Sequence, residues 1–167
     1  WITAEQFQDY IQVDRKDDFN YLSVYFNVKD DNHPPIHFML LHTMSSIFRG
    51  MVKPLMGCVI NMIAVAVAML LLMEIGKLLA TELGMEEQGR LLGLFAALLY
   101  GSSTGALASV LLIRMYCVMT CLCVALFYFH LKKWQEGTFD RKNKGLIAVT
   151  VLGFLTQYFF LFYCLVL

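Results

Sequence analysis

Charged residues are scarce in this sequence, at 16% of 167 residues, while hydrophobic residues make up 59%. A typical soluble domain has about 25% charged and 45–50% apolar residues, so this composition does not suit a single water-soluble core. A net charge is also missing, because thirteen basic residues balance thirteen acidic ones. Nothing in this balance draws the protein to nucleic acid, and we expect no nucleic-acid partner.

Cysteine is missing from the first fifty residues, and all five cysteines lie inside apolar stretches. This distribution implies no disulfide framework, and it favours small buried hydrophobic side chains over a zinc cluster. The features of a signal peptide are also missing near the start of the chain. Because the sequence opens with Trp1 rather than a methionine, we interpret it as a piece of a longer polypeptide.

Long hydrophobic runs are what the sequence does contain. Residues 55–73 have one strongly polar member, Asn61, and residues 91–131 have one charge, Arg114. A helix needs about 20 residues to cross a bilayer core, so the second run must turn back, and the Gly- and Ser-rich residues 101–105 are the predicted turn. The predicted fold is an all-α membrane protein with four transmembrane helices, near 52–80, 86–101, 105–132 and 145–167, after a polar segment, residues 1–50.

Basic residues predict the orientation of these spans. The loop between the third and fourth spans contains Lys132, Lys133, Arg141, Lys142 and Lys144. Short cytoplasmic loops carry such an excess of Lys and Arg. This loop is therefore predicted to be cytoplasmic, which places residues 1–50 and the 101–105 turn on the extracytoplasmic side.

The segment that starts at Asp30 carries the first candidate site. Proline is tolerated in the first turn of a helix, so Pro34 and Pro35 predict a helix near 35–48, too short to cross the membrane and suited to its interface. Its start would hold Asp31 and His33 near the membrane surface, where they could meet a lipid-borne substrate.

Two further interpretations of this segment stay open. His33 and His37 are four residues apart, and with a carboxylate of Asp30 or Asp31 they could form a zinc site. Alternatively, His33 only caps the segment by bonding to the backbone. A divalent metal is therefore possible but not indicated, and no cofactor is expected. Thr3 and Gln6 predict a second short helix near the start of the chain.

Arg114 is the second candidate, predicted to lie about 13 Å along the third span from its outer turn. Ionisable residues in a membrane are costly and usually functional, and a guanidinium suits a phosphate. The alternatives are that Arg114 extends to the interface or pairs with Glu74. For Tyr116 two roles are open: it lines the groove that would hold this phosphate, or it packs against other side chains. Gln157 and Tyr158 line the same cavity or bond to a neighbouring helix.

Three runs of residues together resemble a known family, and they cover almost the whole sequence. Asp31-Asn32-His33-Pro34-Pro35, followed by Leu40-Leu41-His42, resembles the first external loop of the protein mannosyltransferase and aminoarabinose transferase clan. Arg114-Met115-Tyr116 and Leu155-Thr156-Gln157-Tyr158-Phe159 are similar to later spans of its bacterial, family 39-like branch.

The resemblance implies a GT-C type glycosyltransferase in a bacterial cell membrane. Such an enzyme transfers a sugar from a polyprenyl-phosphate donor to a lipid, glycan or protein acceptor on the outer face. Asp31 and His33 then match the catalytic loop, and Arg114 and Tyr116 match the residues that hold the donor phosphate. The remaining candidates for the cavity lining are Asp30, His37, Gln157 and Tyr158.

The sequence departs from the family in three respects. The family's principal acidic motif follows an earlier span, so the resemblance implies that the main catalytic base lies upstream and that this piece alone is inactive. His37-Phe38 replaces an aromatic pair, and Gln157 stands where the family often has histidine. The competing hypothesis is a non-catalytic transporter or assembly subunit whose external loop binds a ligand. A transporter predicts paired interrupted spans, and the sequence has one interrupted run.

Overall fold

The computed structural model describes residues 2–6, 13, 15–49, 54–137 and 143–167, which contain helices and no strand. A 3-10 turn, Arg15–Asp17, precedes eight α-helices: α1 (Tyr21–Val28), α2 (Ile36–Ile47), α3 (Pro54–Glu82), α4 (Glu86–Gly101), α5 (Thr104–Leu111), α6 (Tyr116–Glu136), α7 (Lys144–Thr156) and α8 (Phe160–Val166). The all-α prediction is confirmed.

The helices α3 and α6 are long and apolar enough to cross a membrane. A third span is formed if α4, from Gln88, and α5 are taken together as one bent segment. The helix α7 has only 13 residues, fewer than the roughly 20 that a span requires. The described part is thus all-α, with two or three segments that could span a membrane, where the sequence predicted four.

The helices α3 and α4 pack in direct backbone contact. A Cβ atom added at Gly76 would lie 2.4 Å from the Cα atom of Gly93, and one added at Gly93 would lie 2.5 Å from the carbonyl oxygen of Met73. Gly89 lies against Ala80 in the same interface. Glycine is required at these positions because any side chain would fill the space that the neighbouring backbone occupies.

The predicted reversal at residues 101–105 is wrong, because the chain only bends there. The axes of α4 and α5 differ by 51°. Ser103 begins the new helix at once, since its hydroxyl accepts a hydrogen bond from the backbone N–H of Ala106. Gly101 packs against Met69 and Asn61 contacts the end of α5, so both halves of the bent segment follow α3.

The reversal occurs at residues 112–115, which we call the link. Ile113 adopts φ = +47° there, a conformation that is unusual for a β-branched residue. The side-chain amide of Asn61 donates to the carbonyls of Ser109 and Val110, both at 3.2 Å. These carbonyls belong to the last turn of α5, where no intrahelical partner is available, so Asn61 allows the helix to end in apolar surroundings.

The fourth predicted span, 145–167, is not one helix. It divides into α7 and α8 at Gln157, which has an extended backbone (φ −159°, ψ 129°). The ring of Phe160 lies so close to Gly153 that an added Cβ would be 2.3 Å from it. The α8 segment is therefore packed against α7 rather than continuing in line with it.

One short helix predicted before the first span is present, and residues 4–6 form the start of the other. The predicted 35–48 helix corresponds to α2. Thr3 and Gln6 form the predicted reciprocal cap, with the Thr3 backbone N–H donating to Oε1 of Gln6 at 2.9 Å and the Gln6 N–H donating to the Thr3 hydroxyl at 3.2 Å. The predicted continuation of the helix that starts after Thr3, through Phe7, Tyr10 and Ile11, lies outside the described residues.

The segment before α2 is tied to that helix by polar contacts. Arg49 pairs with Asp18 at 2.7 Å, and the backbone N–H of Phe19 donates to the Ser46 hydroxyl at 3.1 Å. His37 is buried in this helix, whereas Ile47 is 56% exposed. The side of α2 that carries His37 and Ser46 is buried because both side chains form hydrogen bonds with backbone groups, His37 with the carbonyl of Ile113 and Ser46 with the N–H of Phe19.

Candidate functional site

A cavity of about 290 Å³ opens between the start of α2 and the link, and we call it the polar pocket. Its polar side chains come from two segments that are distant in sequence. The residues that line it are Asp31, His33, His37, Phe38, Leu41, Ile113, Arg114 and Met115. The fold thus brings four of the predicted site residues together: Asp31, His33, His37 and Arg114.

Asp31 and His33 form a hydrogen-bonded pair at the mouth of this pocket. One carboxylate oxygen of Asp31 accepts from Nδ1 of His33 at 3.0 Å and from the His33 backbone N–H at 3.2 Å. The hydrogen bond from the His33 side chain lowers the pKa of Asp31, so the carboxylate is ionised at neutral pH. Because Nδ1 donates its proton to Asp31, Nε2 of the neutral ring is left as a proton acceptor.

The arrangement of the two histidines is not that of a helical metal site. The helix α2 begins only at Ile36, so His33 lies outside it and does not occupy the helical position four residues before His37. No group of three His, Cys, Asp or Glu side chains in the described ranges could hold a metal ion.

His37 forms the inner wall of the polar pocket and is only 3% exposed. Its Nε2 lies 3.4 Å from the carbonyl oxygen of Ile113, and its Nδ1 has no hydrogen-bond partner among the described residues. Burial lowers the pKa of His37, which favours the neutral ring. A carbonyl oxygen can only accept a hydrogen bond, so the proton of the neutral ring is on Nε2. Through this hydrogen bond His37 connects α2 to the link.

Arg114 does not lie within a membrane span, which corrects the predicted depth. The helix α5 ends at Leu111 and α6 starts at Tyr116, so Arg114 occupies the link and its side chain is exposed. The predicted alternative pairing with Glu74 is not seen, because Glu74 pairs with Lys77 at 2.5 Å. The guanidinium therefore reaches the pocket from the link rather than from within a helix.

The other four predicted site residues do not line the polar pocket. Asp30 is exposed just before Asp31, and Tyr116 is 38% exposed at the start of α6. Gln157 is buried where α7 ends, and its backbone N–H bonds to Gly153. Tyr158 is exposed and its ring packs edge-on against Phe154. The roles suggested for these residues remain predictions.

Two residues that shape the site were not predicted to belong to it. Because Gly57 has no side chain, it leaves room for the side chain of Ile113; a Cβ atom added at Gly57 would lie 2.0 Å from that side chain. Asn61 holds the end of α5 just before the link. The sequence does single out Asn61 as the one strongly polar residue in an apolar run. It does not indicate which residues Asn61 contacts.

A second cavity, of about 350 Å³, is lined in part by other residues of α2, and we call it the apolar groove. It lies between α2, α3 and α6. Its lining residues are Leu40, Thr43, Met44, Ile60, Ile63, Ala64, Val67, Val118, Cys121 and Leu122. The side chain of Thr43 is the one in this lining that carries a hydroxyl, and it donates to the carbonyl of Met39 at 2.8 Å. The other lining side chains are aliphatic or contain sulfur, so the wall is apolar.

Comparisons with protein families, with curated proteins and with solved structures found no match to this chain.

Proposed function

We propose that this chain forms part of the extracytoplasmic site of an integral-membrane glycosyltransferase that uses a polyprenyl-phosphate-linked sugar donor. One observation carries the proposal: the polar pocket holds a carboxylate–imidazole pair, Asp31 and His33, together with a guanidinium, Arg114. Glycosyl transfer from a lipid phosphate needs a group that accepts a proton and a cation that stabilises the departing phosphate. The resemblance of the same segments to the mannosyltransferase clan supports this reading.

The proposed reaction assigns one role to each group. An acceptor hydroxyl attacks the anomeric carbon of the sugar, forming the new C–O bond while the bond between sugar and phosphate breaks. Within this chain the group that can take the hydroxyl proton is Nε2 of His33, whose ring Asp31 orients through Nδ1, and the proposal gives it this role in place of the upstream base that the resemblance implies. The polyprenyl phosphate leaves with the bonding electrons, and Arg114 stabilises its charge.

The position of the polar pocket supports an extracytoplasmic site. The pocket lies beside the start of α6, whereas Lys132 and Lys133 lie near the other end of that helix, about 24 Å away at 1.5 Å per residue. Because basic residues favour the cytoplasmic side, the pocket end then faces outwards.

The test is sugar transfer in membranes, using protein expressed from its complete gene and a polyprenyl-phosphate-linked donor. We expect His33→Ala to lower kcat about a hundredfold or more, in line with the usual contribution of general-base catalysis. Arg114→Ala should lower kcat/KM by about tenfold to a hundredfold, the value of a charged hydrogen bond. Asp31→Asn should fall between the wild type and His33→Ala.

Arg90→Ala is the matched control for Arg114→Ala, because Arg90 is also exposed but lies at the opposite end of the bundle. It should leave transfer unchanged. Full activity in Asp31→Asn, His33→Ala and Arg114→Ala, with expression equal to wild type, would contradict the site. Ligand binding without any transfer by the wild type would favour the transporter or assembly subunit.

A further inference from the structure

A further cavity lies at the other end of α6, where α7 begins, and we call it the basic pocket. It has a volume of about 170 Å³. Its lining residues are Phe129, Lys132, Lys133, Glu136 and Asn143. None of these residues is among those that line the polar pocket or the apolar groove. The basic pocket is therefore a separate site, and the proposed sugar transfer does not use it.

The packing of α7 against α6 forms the walls of the basic pocket. A Cβ atom added at Gly145 would lie 2.9 Å from the ring of Phe129, so the first turn of α7 lies directly against α6. Asn143 caps α7, because its Oδ1 accepts hydrogen bonds from the backbone N–H groups of Gly145 and Leu146 at 3.1 and 3.3 Å. The end of one helix and the start of the next are thus held side by side.

The basic pocket carries an excess of positive charge. Lys133 forms an ion pair with Glu136, one turn further along the helix. Its neighbour Lys132 is exposed and has no hydrogen bond or ion pair among the residues that the structure describes. Lys144, the first residue of α7, is also exposed and adds a positive charge close by. Such a set of side chains attracts an anion.

We propose that the basic pocket binds the headgroup phosphate of an anionic phospholipid, the class to which phosphatidylglycerol belongs. The cavity is smaller than the roughly 300 Å³ of a site for a drug-sized ligand, so it suits a small group such as a phosphate. It lies where the apolar part of α6 ends, and a bilayer crossed by α6 has its headgroups at this level. Basic pockets between membrane helices bind anionic headgroups in this way.

The surface next to the basic pocket favours a lipid over a free phosphate ion. On α7, Ile147 and Val151 are 53% and 51% exposed, and they follow Lys144 at intervals of three and four residues. The three side chains therefore share one side of the helix, which we call the α7 face. Trp134 is 70% exposed near the end of α6, and tryptophan is enriched where helices leave a membrane. A phospholipid would place its phosphate at the lysines and its acyl chains along the α7 face.

Photo-crosslinking tests this placement. The protein, expressed from its complete gene, is placed in phosphatidylcholine nanodiscs that contain phosphatidylglycerol with a diazirine on one acyl chain, and mass spectrometry locates the label after irradiation. The reference probe is phosphatidylcholine with the same diazirine-bearing chain. We expect phosphatidylglycerol to label residues 144–151 about fivefold more than phosphatidylcholine, or better, as one well-placed lysine would give. Equal labelling by the two probes would overturn the proposal.

Three variants show whether the basic pocket itself is responsible. Lys132→Gln removes a pocket charge and should lower the ratio of phosphatidylglycerol to phosphatidylcholine labelling about fivefold. Glu136→Gln releases Lys133 from its ion pair and should raise this ratio. Arg90→Gln, the control, removes an exposed charge that does not line the pocket, so the ratio should stay within about twofold of wild type.

An equal fall of the ratio in Lys132→Gln and Arg90→Gln would show a general attraction to basic surface and contradict the proposal. Labelling by phosphatidylcholine should be the same in both variants and in the wild type. Because both substituted side chains are exposed, this labelling also reports that each variant is folded.

Inorganic phosphate distinguishes the two sources of the anion. Added in excess at constant ionic strength, it should leave labelling by phosphatidylglycerol unchanged, because the acyl chains keep the lipid at the α7 face. Loss of labelling would identify a site for free phosphate and overturn the proposal of a lipid. None of these measurements depends on sugar transfer, so the proposed function and this proposal can fail independently.

Discussion

The contact between α3 and α4 and the contact between α2 and the link are built in opposite ways. In the first, Gly76 and Gly93 bring two backbones together with no room for a methyl group. In the second, the walls stand apart around a cavity of about 290 Å³, and Nδ1 of buried His37 has no hydrogen-bond partner among the residues that the structure describes. Close packing of small residues stabilises helices in a membrane, whereas an open polar cavity provides space for a ligand.

The contact between α3 and α4 therefore maintains the fold, whereas the contact between α2 and the link forms the pocket that we propose as the site. Asn61 connects the two, because it lies on α3 and bonds to the end of α5 next to the link. Changes at the glycine contact should act on stability, and changes at the polar pocket should act on binding and pH response.

The largest expected effect comes from closing the space between α3 and α4. Gly93→Ala places a methyl group 2.5 Å from the carbonyl oxygen of Met73, so the helices must move apart. We expect a loss of about 2–3 kcal/mol in the free energy of unfolding. Thermal unfolding of the purified protein in detergent measures it. Gly105→Ala is the control, since nothing lies within 4 Å of its added Cβ. Equal melting of the two variants would show that the contact is not tight.

A smaller effect is expected where the two regions meet. Asn61→Leu removes both hydrogen bonds to the last turn of α5 and leaves the carbonyls of Ser109 and Val110 without them. We expect a destabilisation of about 2 kcal/mol, measured by thermal unfolding in detergent, because the end of α5 loses its support. Met62→Leu, on the exposed side of the same helix, should change stability by less than about 0.5 kcal/mol. Equal stability of Asn61→Leu and the wild type would show that Asn61 does not support the link.

The smallest effect is a pH response at the polar pocket. Burial lowers the pKa of His37 below the ordinary value of 6.5, so the unfolded chain takes up a proton at a higher pH than the folded protein. The stability that depends on neutral His37 is therefore complete above pH 6.5 and falls as the pH drops from there towards the lowered pKa.

His37→Gln should remove this component while keeping an amide that can donate to Ile113. The measurement is the melting temperature of wild type and variant between pH 7.5 and pH 5, since the groups that face His37 across the pocket, Asp31, His33 and Arg114, are common to both. The difference between the two curves isolates His37. Parallel curves would mean that its ring is not held neutral by burial.

Much of the fold could be predicted from local features. Hydrophobic length indicated α3, the prolines placed the start of α2, and Thr3 with Gln6 indicated a cap. The position of the reversal could not be predicted, because both 101–105 and 112–115 are compatible with a turn. Ser103 favours the restart of a helix, and only Asn61 on another helix makes an end at Leu111 acceptable.

The candidate site shows the same division. Asp31 and His33 are two residues apart, so their pairing follows from a local turn that the sequence suggests. Arg114 was singled out for its charge, but its predicted depth was wrong because the turn was assigned too early. His37 was a candidate for the cavity lining, but its contact with the carbonyl of Ile113 depends on the packing of α2 against the link.

From the sequence alone it follows that the chain is helical, with apolar stretches long enough to cross a membrane. Composition, the length of apolar runs and helix-capping residues act on nearby residues, so their effect does not depend on how the helices pack. Only the packed structure shows that Asp31, His33, His37 and Arg114 share one pocket. The position of the link depends on contacts from Gly57 and Asn61 across the bundle, and such contacts exist only once the helices pack.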